Sequence, residues 1–214
     1  MTQVMISEVN GDMANDFFHE GMRGFQEDFD GTRVADAIAK HRVHHKLWEQ
    51  DKALISSSPF FFIATSFADH VDCSIKAGAP GFVKIIDDTA IEYPEYDGNS
   101  MYRTLGNIAK NHHVGLLFIN VTEPGTKLRI KGTARIFTDQ HHLSRHHGAK
   151  AVVRITGTFF PNCPRYLPTL QTGPISVHVP SEENPSPPPP EWKTRSYIKD
   201  ILPQNDPHKD TIKD

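Results

Sequence analysis

The stretch Cys73–Ile108, CSIKAGAPGFVKIIDDTAIEYPEYDGNSMYRTLGNI, decides the fold because it reads as strands, tight turns and a helix in a fixed order. Alternating apolar and polar residues over Val71–Gly78 predict a strand, and the apolar runs Phe82–Ile86 and Ala90–Pro94 predict two more. The residues Asp97-Gly98-Asn99 are typical of a tight turn and predict one here. After it, a helix capped by Asn99 or Ser100 is expected to end near Asn111.

Four further apolar segments outside this stretch also have the pattern of strands. They are Phe60–Ser66, Val114–Asn120, Lys127–Phe137 and Ala149–Phe160. Within the long third segment, Leu128, Ile130 and Ile136 recur on one side and are the expected inner set. The prediction is a mainly β protein with helices (α+β), built as a six-stranded closed antiparallel barrel with one helix crossing between the fourth and fifth strands.

The two ends of the chain differ from this central part. Apolar residues at helical spacing predict helices over Asp12–Phe29 and Thr32–Leu54, so residues 1–57 are interpreted as a helical segment packed on a barrel of residues 58–180. Residues 181–214 form a proline-rich arm and tail. Its four consecutive prolines favour an extended segment, interpreted either as a plain linker or as an arm across a partner subunit that carries Trp192.

Composition excludes several classes of function. The 214 residues carry 23 basic and 26 acidic side chains, a balance that argues against a nucleic-acid groove or a membrane-surface binder. Cys73 and Cys163 have no metal or redox spacing, and Cys163 is interpreted as an inert thiol. With no signal peptide or apolar run of membrane length recognised, we expect a cytoplasmic protein.

The chain has 13 histidines, several in adjacent pairs. No metal-binding spacing accompanies them, so no metal is predicted. Four histidines could hold a metal if Asp139–Gly148 folded back on itself, and a solvated loop is the alternative. They are His141, His142, His146 and His147.

Two cations are candidate ligands for a phosphate. Arg103 falls in the first turn of the predicted helix, where the N–H groups and the dipole favour an anion, so it calls for a negative partner. Lys76 needs an anion as well if it points into the barrel. With Thr104 and Asn107 as hydrogen-bond donors, and with Tyr93 and Tyr96 beside a flat ring, they make a phosphate-plus-aromatic pocket. Both cations could instead be solvated.

The order of these pieces resembles the flavin-binding split-barrel family that includes pyridoxamine 5′-phosphate oxidase. The resemblance rests on FFFIATS, on the stretch quoted above and on HVGLLFIN, and it extends to FPNCPRY and PEWK near the C-terminus, typical of a longer, uncharacterised branch. It implies a six-stranded barrel, a homodimer and FMN in a groove between the subunits.

Matching motifs imply which residues bind the cofactor. The family's flavin-lining strand with its phosphate-binding lysine matches Ser74, Ile75 and Lys76, and a neighbouring strand end matches Tyr93. Of a Ser-Arg-Lys motif that starts the crossing helix, only Arg103 is kept. Trp192 either stacks near the flavin or anchors the arm. The predicted cofactor-binding set is Thr65, Ser74, Ile75, Lys76, Tyr93, Arg103, Thr104, Asn107 and Trp192.

The function implied is an FMN-dependent oxidoreductase that acts on a small molecule, with a nicotinamide as candidate electron donor. No catalytic residue is identified. The C-terminal end does not match the substrate-binding segment of true pyridoxamine-phosphate oxidases, so vitamin B6 oxidation is not expected. The alternatives are a non-catalytic flavin or haem carrier on the same barrel and a deazaflavin-dependent reductase.

Overall fold

A computed structural model of the chain describes residues 17–122, 125–162, 180–189, 193, 206 and 208–209. The chain divides into two compact units, Met1–His44 and His45–Asp214. The predicted packing of the N-terminal helices on the barrel stays a prediction.

The described part of the first unit contains two helices, α1 (Glu20–Asp28) and α2 (Thr32–Arg42). The His19 side chain accepts a hydrogen bond from the Met22 amide and caps α1. An ion pair of 2.7 Å between Arg23 Nη1 and Asp36 Oδ1 joins the two helices.

The single helix predicted over Thr32–Leu54 is wrong, because a separate helix, α3, spans Glu49–Ser57 in the second unit. The Asp51 carboxylate accepts a hydrogen bond from the Trp48 amide at 2.9 Å and so starts α3. Just before it, Leu47 is buried and its amide donates to the Asp88 carbonyl at 2.7 Å. A continuous helix would have used that amide internally, so the tertiary contact outweighs helical periodicity here.

The second unit is built on one antiparallel sheet of seven strands, and not the six that were predicted. The strands are β1 (Phe60–Phe67), β2 (His70–Ala77), β3 (Lys84–Asp87), β4 (Ala90–Glu95), β5 (His113–Asn120), β6 (Thr126–Phe137) and β7 (Ala151–Asn162). Seven segments of the sequence have the pattern of strands, both β3 and β4 among them, and all seven form strands, so the predicted total of six was one too few. Strands β3 and β4 form a hairpin whose second strand also pairs with β7.

The hydrogen-bonded order is β2-β1-β5-β6-β7-β4-β3. Within the described part of the chain β2 and β3 have one sheet neighbour each, so the sheet is open between them and the predicted closure of the barrel is not seen. Strands β6 and β7 approach most closely at Gly132 and Gly157. A Cβ at either position would lie within 2.3 Å of a backbone oxygen of the other strand, so both must be glycine.

The core lies on the inner face of this sheet. Phe61 packs against the rings of Phe82, Tyr93 and Phe118 at centroid distances of 4.9 to 6.0 Å. In β6, Leu128 and Ile130 are buried and Ile136 packs partly buried against the same core, which confirms the predicted inner set.

Helix α4 (Arg103–Lys110) connects β4 to β5, as predicted, but it starts later than expected. Its N-cap is Tyr102 and not Asn99 or Ser100. The Asn99 side chain instead accepts a hydrogen bond from the Met101 amide at 3.1 Å, and both Ser100 and Tyr102 have positive φ. A short helix, α5 (Gln140–Leu143), precedes β7. Among the described residues we find no helix with the length and apolar character needed to cross a membrane.

Candidate functional site

A cavity of about 590 Å³ opens beside α4 in the second unit. One wall is the end of β2, and another is formed by the turn between β4 and α4. Described residues of the C-terminal part of the chain supply the third wall. Of the predicted cofactor-binding set, the wall contains Ser74, Ile75, Lys76, Arg103 and Thr104.

Lys76 lies on this wall as a largely buried cation. Only 15% of its side chain is exposed, and its Nζ lies 2.6 Å from Oε1 of Glu95 at the end of β4. The anion that a buried lysine requires is therefore present within the protein. Glu95 lines the same cavity, so the ion pair spans two of its walls.

Arg103, in the first turn of α4, has a carboxylate partner in Asp72 of β2. The Asp72 side chain is 10% exposed, whereas that of Arg103 is 62% exposed. Ser74 donates its hydroxyl to Asp72 Oδ2 at 2.9 Å, and Thr104 donates to the Ser74 hydroxyl at 3.3 Å. Three of the predicted cofactor-binding side chains are thus connected to one internal carboxylate.

A third carboxylate, Asp97, lies on the cavity wall and is bound by two lysines. Lys150 Nζ lies 2.6 Å from Asp97 Oδ1, and Lys193 binds the other carboxylate oxygen. Lys193 also lies 2.9 Å from Asp206 Oδ2. Burial would lower the pKa of Lys193, but hydrogen bonds to Asp97 and Asp206 outweigh burial and raise that pKa.

The described C-terminal residues form part of the same cavity wall. Pro180, Pro185, Pro187 and Pro188 line it, together with His208. Gly148, at φ +72°, lets Pro180 approach, since a Cβ at Gly148 would lie 2.7 Å from that of Pro180. The predicted position of the arm across a partner subunit stays a prediction, and Trp192 and Cys163 lie outside the described residues.

Three residues of the predicted set lie away from the cavity wall. Asn107 Nδ2 donates to Thr65 Oγ1 at 3.0 Å, and this hydrogen bond joins α4 to β1. Tyr93 is fully buried among core rings. Burial, together with the charge of Glu95, raises the pKa of the Tyr93 hydroxyl well above 10. Their contact with a cofactor stays a prediction.

Sequence reasoning missed the carboxylates of the site. Asp72 alternates with Ser74 and Lys76 along β2, so a period-two pattern could have found it. Glu95 follows the predicted strand Ala90–Pro94 directly and could also have been found. Lys193 carries no such signal, because it lies 96 residues from Asp97 in the chain.

A separate group of charges surrounds Glu92 of β4. Its Oε1 accepts hydrogen bonds from Arg154 at 2.6 and 2.8 Å and from Arg145 at 3.0 Å. His146 Nε2 lies 3.6 Å from Glu92 Oε2. Among the described residues no three His, Cys, Asp or Glu side chains converge as a metal site would require.

Comparison with known proteins identifies the family. A family model described as pyridoxamine 5′-phosphate oxidase matches residues 47–169, more than half of the chain. The chain belongs to this family. The match includes all seven strands and α4, and therefore the β2 and α4 walls of the cavity. A comparison with curated proteins gave no match.

A comparison with solved structures matches this chain to three bacterial proteins among others. HupZ of Group A Streptococcus is 22% identical with a TM-score of 0.43, and the alignment covers 59% of this chain and 99% of HupZ. A Lactobacillus delbrueckii protein provisionally described as a pyridoxamine 5′-phosphate oxidase is 22% identical (55% and 95% covered, TM-score 0.45). A FAD-binding protein of Mesorhizobium loti is 11% identical (56% and 99% covered, TM-score 0.40).

Proposed function

We propose that this protein is an FMN-dependent oxidoreductase that acts on a small molecule. The observation that carries the proposal is that Lys76 and Arg103, the two cations expected to bind phosphate, lie on the walls of one cavity of about 590 Å³ within the family-matched region. Family membership alone would support the fold without locating a ligand.

The residues on the cavity walls fit a flavin mononucleotide. Arg103 and Lys76 supply positive charge for the phosphate, and Arg103, Thr104 and Leu105 bring the first turn of α4 to the cavity wall. Tyr96, Met101, Tyr102 and Ile75 supply aromatic and apolar surface for a flat ring. When bound, the flavin would supply hydride or electron transfer, whereas the chain's own residues bind it, orient it and limit access of water.

We propose a homodimer as the functional form. Val71, Cys73, Ile75 and Ala77 alternate along β2 on one side, and all are exposed, Val71 by 76% and Ile75 by 57%. An apolar row on the free edge of a sheet favours a second protein surface over water. Because Ile75 belongs both to this row and to the cavity wall, a dimer through β2 would bring the cavity next to the partner subunit.

A non-catalytic flavin or haem carrier is the second candidate. It is supported by the charge pairing on the described walls, where each lysine and arginine is bound to a carboxylate and none is set aside for proton transfer. A deazaflavin would suit the same apolar and aromatic surface.

The proposed function is tested with the purified protein. We expect flavin absorption near its usual visible bands, release of FMN on heating, and anaerobic bleaching by NADH or NADPH. Bound flavin that neither nicotinamide reduces would favour the carrier. A haem spectrum, or a protein that binds no FMN even after addition, would contradict the oxidoreductase proposal.

A further inference from the structure

Asp72 differs from the other carboxylates of the site in its place and in its partners. It does not line the cavity, whereas the three side chains connected to it, Arg103, Ser74 and Thr104, all do. Arg103 binds Asp72 directly, Ser74 donates to it, and Thr104 reaches it through Ser74. The Asp72 carboxylate therefore lies behind the cavity wall. It binds Arg103 and Ser74, which could otherwise donate hydrogen bonds to a ligand inside the cavity.

The hydrogen bonds have a direction that matters for an incoming anion. A serine or threonine hydroxyl has one proton, and both protons are already committed, that of Ser74 to Asp72 and that of Thr104 to Ser74. In this arrangement neither hydroxyl has a proton left to donate to a ligand in the cavity. A phosphate also accepts hydrogen bonds, so it gains from these side chains only if they leave Asp72.

The charges of Arg103 and Asp72 also indicate that a phosphate must compete with Asp72. Arg103 is the more exposed partner, so its side chain can move to a ligand, whereas the largely buried Asp72 stays in place. A phosphate dianion would then share Arg103 with a fixed negative charge. Like charges close together in a partly buried site repel each other, and an uncharged ligand does not experience this repulsion.

We propose that Asp72 is a specificity-determining residue. In the ligand-free protein it binds Arg103 and Ser74, and it therefore weakens binding of a phosphate monoester relative to the uncharged analogue. The inference rests on the proposed function for the identity of the ligand, FMN. The repulsion between Asp72 and a bound phosphate does not depend on that identity. It predicts that removing the Asp72 charge strengthens phosphate binding, the opposite of what a supporting residue would show.

The test compares FMN with riboflavin, which lacks the phosphate, in fluorescence titrations at low ionic strength. Asp72→Asn keeps an oxygen that accepts from Ser74 but removes the charge. We expect FMN to bind about threefold to tenfold more tightly to this variant, with riboflavin unchanged. Asp72→Glu keeps the charge and is expected to resemble the native protein, and so is Asp69→Asn, which removes an exposed charge nearby.

Weaker FMN binding by Asp72→Asn would overturn the proposal, because it would show that Asp72 supports the phosphate site. An unchanged ratio of FMN to riboflavin affinity would overturn it too. If the native protein binds neither flavin, the proposed function fails, and inorganic phosphate becomes the probe. The Asp72 proposal then stands if phosphate raises the melting temperature of Asp72→Asn more than that of Asp69→Asn, and falls if the two shifts are equal.

Discussion

At the scale of single residues, each cation singled out in the sequence has an anionic partner within the protein. The sequence identified Arg103 and Lys76 as side chains that need a negative charge, and the structure provides Asp72 and Glu95. The need was predictable from residue type and position alone. The partners were harder to predict, since Glu95 belongs to β4, a strand that is not a sheet neighbour of β2.

Removing either cation should weaken FMN binding. Arg103→Ala and Lys76→Ala each delete a charge-assisted contact worth about 1.5–3 kcal/mol, so we expect the dissociation constant for FMN to rise by about tenfold or more. Riboflavin binding should change little. Lys110→Ala, an exposed cation at the other end of α4, is the matched control. If both cavity variants bind FMN as the native protein does, the phosphate site is placed wrongly.

His146 makes stability depend on pH. Burial, followed by the positive charge of Lys84, lowers the pKa of His146, so the fold favours its neutral form. Its contribution is complete above the unfolded-state pKa of about 6.5 and is lost as the pH falls below that value toward the folded-state pKa. We expect the free energy of unfolding, measured in urea, to drop less between pH 7.5 and 5 in His146→Gln than in the native protein.

The control for this experiment is His70→Gln, because the His70 side chain is 85% exposed. It should keep the native pH dependence. An identical pH dependence in His146→Gln and the native protein would show that His146 does not drive the effect.

At the scale of elements, strands were predicted more accurately than helix boundaries. All seven strands coincide with segments recognised in the sequence, because alternation and apolar runs are local signals. The helix boundaries at residues 43–48 and 99–102 depend on contacts that the local pattern does not contain. One is the hydrogen bond from Leu47 to Asp88, and the other is the side-chain turn made by Asn99.

Lys193 forms ion pairs with Asp206 and with Asp97 in the turn before α4, and so connects described C-terminal residues to that turn. Lys193→Met should leave Asp206, which is 2% exposed, without its charged partner and destabilise the protein by about 3 kcal/mol. We expect faster amide exchange over residues 180–189 as well. The double variant Lys193→Met with Asp206→Asn should recover part of the loss. Unchanged exchange in the single variant would show that this ion pair does not hold the segment.

At the scale of the whole molecule, the edge strand β2 lies next to the cavity. In the proposed homodimer, the apolar row of β2 is the surface that we expect to be covered. Val71→Lys would place a charge on the most exposed residue of that row and should shift the mass in sedimentation toward the monomer. His70→Lys, one residue away at the exposed start of β2, is the control. A native protein that is monomeric at micromolar concentration would contradict the dimer.

The central claim is that the cavity beside α4 binds FMN through its phosphate. The most direct test is a fluorescence titration of the flavin-free native protein with FMN and with riboflavin. The account predicts saturable binding of both, with FMN about tenfold or more tighter because only FMN reaches Lys76 and Arg103. Equal affinity for the two flavins, or no binding of either, would contradict it.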